Sequence, residues 1–315
     1  MQIVQAPRAS AILYNLLKSQ SNTDTWLLPA NICPIVPLTF FKAGISIEFV
    51  DISAETLHMD LEQAEGRLER GVYGGILYAH TYGEPSTPDD FFVHIKSRYS
   101  NLLLVDDRCL CLPDLEPDPD MVADVTLYST GYAKMVELNF GGYAFLKGGT
   151  PYQPQHLPFN PQAHEEIEKG YRQAIQNRRP YVYKDSAWLQ TDGELPAWYD
   201  YCQQIEDGLE TAWQHRAALN KIYANHLPAE VQLPQAYQSW RFNLRLKNKE
   251  RVLKSIFSAG LFASSHYASL AGVMAPGQCV QAETLANEII NLFNDHYFNP
   301  QQAEQVCVVI MENLS

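Results

Sequence analysis

No run in this chain approaches the roughly 18 consecutive apolar residues that a membrane-spanning helix needs. The first ten residues, MQIVQAPRAS, lack the apolar core of a secretory leader, so the reading expects neither span nor leader. Six cysteines are present, Cys33, Cys109, Cys111, Cys202, Cys279 and Cys307, but none is spaced Cys-x-x-Cys. That weakens zinc-finger and thioredoxin readings, and thiols in a chain this long read as reduced and mostly buried, which places the protein in the cytoplasm. Basic residues are scarce: 23 Lys and Arg against 36 Asp and Glu leave a net charge of −13. Binding to nucleic acid through a basic surface is therefore not expected. A glycine-rich nucleotide fingerprint after a strand is also missing.

What remains is a globular enzyme composition. The 315 residues are 46% hydrophobic and 19% charged, enough to build a large core divided between two domains. The first half alternates strands and helices. Strands are expected at 26–28, 45–50, 75–79, 102–105 and 122–128. Helices are expected at 11–17 with Ser10 as N-cap, after the Asp60/Gln63 capping pair, and from Thr87-Pro88-Asp89-Asp90 with Pro88 at the first helical position. Such alternation predicts an α/β fold, a mostly parallel sheet flanked by helices. Residues 149–196, rich in proline, tyrosine and glutamine, read as a long excursion around one helix at 165–177. A long helix at 197–225 then leads into a smaller α+β domain with a strand at 239–246 and helices at 248–258, 283–293 and 300–312. The expected domains are 1–196 and 197–315.

Two residues carry the chemistry. Asp107 closes the apolar run Leu102-Leu103-Leu104-Val105-Asp106-Asp107, at the carboxyl edge of a sheet, where open α/β proteins bind ligands. Lys134 follows 27 residues later, behind the serine of Ser129-Thr130-Gly131-Tyr132-Ala133-Lys134 and ahead of Gly141-Gly142. A carboxylate suits a protonated pyridine nitrogen and a lysine suits a Schiff base; together with a polar turn for phosphate they are the parts that pyridoxal phosphate (PLP) requires. By position alone Asp107 also reads as a helix cap, Lys134 as a solvated lysine and Ser129 as turn chemistry. Ser10 is a phosphate ligand at a helix start or a plain cap, and Arg8 could add charge there. His80 reads as a ring or substrate contact, or as a structural hydrogen-bonder. His266-Tyr267 reads as a substrate contact from the small domain, or as packing within it.

In order along the chain, several segments resemble those of the DegT/StrS-type sugar aminotransferases, PLP enzymes of fold type I. They are Pro7-Arg8-Ala9-Ser10-Ala11, Leu28-Pro29-Ala30-Asn31-Ile32-Cys33-Pro34, Phe49-Val50-Asp51, Ala79-His80-Thr81-Tyr82-Gly83-Glu84-Pro85, Val105-Asp106-Asp107, Ser129 to Lys134, Phe140-Gly141-Gly142-Tyr143, and Gly260 with His266-Tyr267. The resemblance implies Lys134 as the Schiff-base lysine, Asp107 on the pyridine nitrogen, Ser129 and Ser10 on the phosphate, His80 and Asn31 about the ring, and a homodimer with sites completed across its interface. It implies amino transfer from an amino acid, glutamate foremost, to a keto-sugar nucleotide or similar small ketone. The sequence departs from the pattern at Ala9-Ser10, where the family has Gly-Thr, at Asn31, where a ring-stacking aromatic is expected, and at Leu110, where the family has Gln or His. A same-fold lyase and a non-catalytic descendant are the alternatives those departures raise.

Overall fold

The structure, a computed structural model, describes residues 1–314. Strands β1 (Gln2–Ala6), β2 (Thr25–Pro29), β3 (Ile47–Val50), β4 (Tyr73–Ala79), β5 (Leu103–Asp107), β6 (Val125–Ser129) and β7 (Gly142–Leu146) form one sheet in the order β1-β7-β6-β5-β4-β2-β3. From β3 through β6 every pairing is parallel, while β7 runs antiparallel to both its neighbours. The expected α/β class with a mostly parallel sheet is the observed one.

Both faces of the sheet are covered, which is why its central strands are continuously apolar. Helices α1 (Ala9–Lys18) and α2 (Ile35–Ala43) contribute to one core, and α3 (Leu61–Leu68) and α4 (Asp89–Arg98) to the other. The pleat of β5 divides its side chains accordingly: Val105 joins the first core and Leu104 the second. Asp107 therefore shares a face with Val105, and Asp106 shares one with Leu104.

The 149–196 excursion holds a single helix, α5 (Pro161–Gln176), started by Asn160, whose side chain accepts from the Gln162 amide. Helix α6 (Trp198–His226) then crosses between cores. Its Tyr201 and Ile205 pack under the large sheet, and its Leu219 and Tyr223 pack in a third core around a small antiparallel sheet. That sheet has the order β8-β10-β9, from β8 (Phe242–Arg245), β9 (Ala263–Ser264) and β10 (Ile289–Leu292), flanked by α7 (Lys249–Ser258) and α9 (Pro300–Glu312). Between β9 and β10, helix α8 (Val280–Glu288) turns back to the first core through Ala282 and Leu285.

Three expectations are corrected. The helix expected at 283–293 ends at Glu288, because Ile289-Ile290-Asn291-Leu292 pairs with β8 and the β-branched pair suits a pleated surface better than a helix. Arg8, not Ser10, caps α1: Arg8 is extended and bridged to Gly141, so the helix begins at Ala9 and Ser10 falls inside its first turn. Pro88 stands at the N-cap of α4 rather than inside it. Strands β1 and β7 and helix α2 are additions to the sequence reading. The Asp60/Gln63 pair does cap α3, with the Gln63 amide donating to Asp60 Oδ1 at 3.0 Å, an arrangement that contributes about 1 kcal/mol.

Candidate active site at the carboxyl edge of the large sheet

Asp107 is buried where β5 ends, its Oδ1 accepting from the Cys109 amide at 3.0 Å. Across the edge lies Cys33, in the turn after β2. Burial pushes both thiols up; beyond that, the Asp107 carboxylate raises them further and the Lys134 ammonium pulls them back. Tyr267, raised first by burial, also feels Cys33, Asp107 and Cys109. Lys134, Asp107, the two thiols and the Tyr267 phenol thus lie within electrostatic reach of one another at this sheet edge.

The turn that carries Lys134 is held at many points. Thr130 anchors its base: its amide donates to Gly141 O, its hydroxyl to Phe140 O, and its oxygen lies 2.5 Å from the Tyr201 phenol. Ala133, in the left-handed region at φ +57, donates its amide to Glu137 Oε2 and accepts from Trp240 Nε1 at 2.7 Å. The Lys134 carbonyl accepts from Arg216 Nη2 at 3.0 Å. Arg216 is itself fixed through Nη1, which donates to Trp240 O and Asn294 Oδ1. Burial, then the neighbouring Arg241 charge, lowers its pKa to about 10, leaving it a cation at neutral pH. The backbone is pinned, while Lys134 Nζ has no hydrogen-bond or ion-pair partner among the described residues. An amine held in place but uncommitted is what nucleophilic or proton-transfer chemistry asks of a lysine.

On the neighbouring strand, Ser129 closes β6 opposite Gly142 in β7. Gly142 is a contact that only glycine allows, since a Cβ there would lie 2.5 Å from the Ala9 amide nitrogen. The start of α1 is thereby pressed against the sheet edge beside Ser129. The Ala11 amide donates to Arg8 O at 3.0 Å, so the Ala9 and Ser10 amides are the ones without intrahelical acceptors, and Ser10 and Ser129 are both half-buried. Helix-start amides and two hydroxyls make a donor set suited to a phosphate. Together with the Asp107 acceptor and the free Lys134 amine, the residues present fit the three functional ends of PLP.

Other expected residues stand differently. His80 shares the Asp106 face, not that of Asp107, because side chains alternate along a strand. Its Nε2 lies 2.7 Å from Asp106 Oδ1 and its Nδ1 2.7 Å from Glu84 O, so both nitrogens are engaged and it is removed from the ring contacts assigned to it from sequence. Asn31 is buried, its Nδ2 donating to Leu57 O at 3.0 Å, while its Oδ1 has no partner. The His266 amide donates to Asn291 Oδ1. The residue is exposed to solvent on one side, but its ring lies against Trp240 and Tyr267. Desolvation by those neighbours, then the charges of Arg241, Arg172 and Lys134, lowers the imidazole to about 4.

Sequence reasoning missed three residues. Tyr82, Trp240 and Tyr267 form a parallel file, with centroids 6.5 and 6.3 Å apart and planes within 8° and 9°. Only Tyr267 had been singled out. Arg216 looked like any arginine on a long polar helix, and no local signal marked it as the residue that grips Lys134.

No family model matches the sequence, and no curated protein does. Solved structures match over nearly the whole chain. A DegT DnrJ EryC1 StrS aminotransferase from Brucella abortus is 15% identical with a TM-score of 0.68, covering 100% of this chain and 86% of its own. Helicobacter pylori PseC, an aminotransferase involved in the biosynthesis of pseudoaminic acid, is 12% identical with a TM-score of 0.69, covering 100% and 87%. Spr1654 from Streptococcus pneumoniae, in its PLP form, is 16% identical with a TM-score of 0.68, covering 99% and 88%. At such identities the likeness is one of architecture: the chain has the fold of these aminotransferases, fold type I.

Proposed function

We propose that this protein is a PLP-dependent aminotransferase. The observation that carries the reading is that Lys134, pinned by its backbone and free at Nζ, acts on the same two thiols, Cys33 and Cys109, as the buried Asp107. Architecture shared with aminotransferases supports it. Ser129, Ser10 and the α1 amides would hold the phosphate, Asp107 the pyridine nitrogen, and Lys134 the carbonyl carbon. When bound, PLP supplies an electron sink and a carrier for the amino group.

Lys134 Nζ is the proton carrier in this reading. It takes a proton from the substrate carbon and returns it one position away, general acid–base work that needs a fixed amine within reach. Arg216, Trp240 and Glu137 hold that amine's backbone. Cys33 and Cys109, their pKa values raised by burial, stay as neutral thiols within reach of Lys134 without competing as nucleophiles. The Tyr82, Trp240 and Tyr267 rings shield the site from water on the small-sheet side, with His266 at the rim as a substrate contact.

The amino donor in this proposal is glutamate, and the acceptor is a keto-sugar nucleotide or similar small ketone. A cytoplasmic homodimer with the domains divided at residue 196 completes the reading. Among the described residues no helix is long and apolar enough to cross a membrane. The test is the absorbance spectrum of purified protein incubated with PLP, before and after glutamate. The expected result is a lysine-linked visible band that glutamate removes, with 2-oxoglutarate released in equal amount. A protein that binds no PLP, or whose band glutamate leaves unchanged, overturns the proposal.

A further inference from the structure

A second cavity, of about 460 Å³, opens on the Asp106 face of the sheet edge. Its walls come from residues 53–61, the chain after β4, and Tyr237 near the small sheet; neither Lys134 nor Asp107 lines it. The chain between β4 and α4 divides the two regions, sending Tyr82 into the aromatic file and Glu84 into this cavity.

His58 is the informative wall residue. It is 3% exposed, and its Nε2 has no hydrogen-bond partner. Burial, then the neighbouring His80, lowers its pKa to about 4, so the ring is neutral at neutral pH and carries a single proton. With that proton on Nδ1, Nε2 is an acceptor. The nearest charged atom is Glu84 Oε2 at 3.7 Å, also an acceptor. The other Glu84 oxygen is satisfied by the Ser86 amide and hydroxyl. Two buried acceptors side by side, with no donor between them, are a costly arrangement unless a third group supplies protons to both.

The surroundings define that group. No lysine or arginine lines the cavity, whereas Glu84 and Asp60 do. Arg108, which reaches the wall residue Thr87, is spent on Asp106 and Thr87. An anionic ligand is therefore excluded. Tyr78 and Tyr237 place their rings 5.5 and 6.0 Å from the His58 ring, an aromatic wall that favours a cation with a carbon body.

We propose that this cavity binds a small primary or secondary organic ammonium, whose N–H groups bridge His58 Nε2 and Glu84 Oε2 while its carbon body lies against Tyr78 and Tyr237. A probe with two N–H donors and a compact body is pyrrolidinium. N,N-Dimethylpyrrolidinium keeps the charge without donors, and cyclopentanol keeps the size without charge.

The experiment is calorimetric titration of the full-length protein with each probe at fixed ionic strength, alongside inorganic phosphate, while the His58 ring nitrogens are followed by NMR. Saturable pyrrolidinium binding is expected, with the Nε2 resonance moving and affinity at least ten-fold above that of the other two organic probes. Glu84→Gln, which retains an acceptor for Ser86, should weaken pyrrolidinium at least ten-fold. No saturable binding, equal binding of cyclopentanol, binding of phosphate here, or a still His58 signal would overturn the proposal in the wild-type protein alone. Unchanged affinity in a folded Glu84→Gln protein would overturn it as well.

Discussion

Arg216 Nη2 donates to the Lys134 carbonyl oxygen at 3.0 Å, joining residues 82 positions apart. The same guanidinium holds Trp240 O and Asn294 Oδ1, so helix α6, the approach to β8 and the end of β10 converge on one lysine. Arg216→Ala leaves three acceptors without their donor. Such a loss costs on the order of 3 kcal/mol, measurable as a lower urea midpoint. Arg216→Lys should recover only part of it, because an ammonium lacks the planar fork. A midpoint unchanged in both variants would remove Arg216 from the account.

Gly142→Ala tests the phosphate end. The added methyl would meet the Ala9 amide nitrogen at 2.5 Å and Ala9 Cα at 2.6 Å. Relief of that overlap displaces the start of α1, with an expected cost of about 1–3 kcal/mol in stability. PLP affinity, measured by fluorescence titration, should fall with it. Unaltered affinity in a folded variant would place the phosphate elsewhere.

Asp107→Asn keeps an acceptor for the Cys109 amide but removes the charge. The variant should fold normally. Its amino transfer from glutamate should fall by about 100-fold, the equivalent of about 3 kcal/mol for a lost charge-assisted hydrogen bond. Single-turnover kinetics would show whether the loss lies in the proton-transfer step rather than in cofactor binding.

His58 makes the fold sensitive to acid. Its pKa is lowered from 6.5 to about 4 by burial and His80, against the pull of Glu84 and Asp106. The unfolded chain therefore binds a proton that the folded chain refuses between those values. Stability falls as pH drops from about 6.5 towards 4, by up to on the order of 3 kcal/mol for this group, and it is fully retained above 6.5. Unfolding midpoints across that range, compared with those of His58→Gln, should show a shallower slope in the variant.

The fold was largely legible from pattern: continuous apolar strands, the Asp60 and Thr87 helix starts and the Pro300 helix all express local chemistry. Where it misled, tertiary pairing prevailed. Ile289–Leu292 is a strand because β8 is beside it, and α1 starts early because Arg8 is bridged to Gly141. The positions of Asp107 and Ser129 at strand ends and of Ser10 in the first turn of α1 were legible because strand ends and helix starts are sequence features. His80 was misplaced because facing depends on one residue of pleat. Arg216, Trp240 and Tyr82 were invisible because their roles exist only once distant segments meet.

The central claim is that Lys134 is the amine that holds PLP. Incubating the protein with PLP, reducing with borohydride and mapping the labelled peptide by mass spectrometry addresses it directly. The account predicts one phosphopyridoxyl group per chain, on Lys134, absent from Lys134→Ala. Label on another lysine, or undiminished single-site labelling of Lys134→Ala, would contradict it.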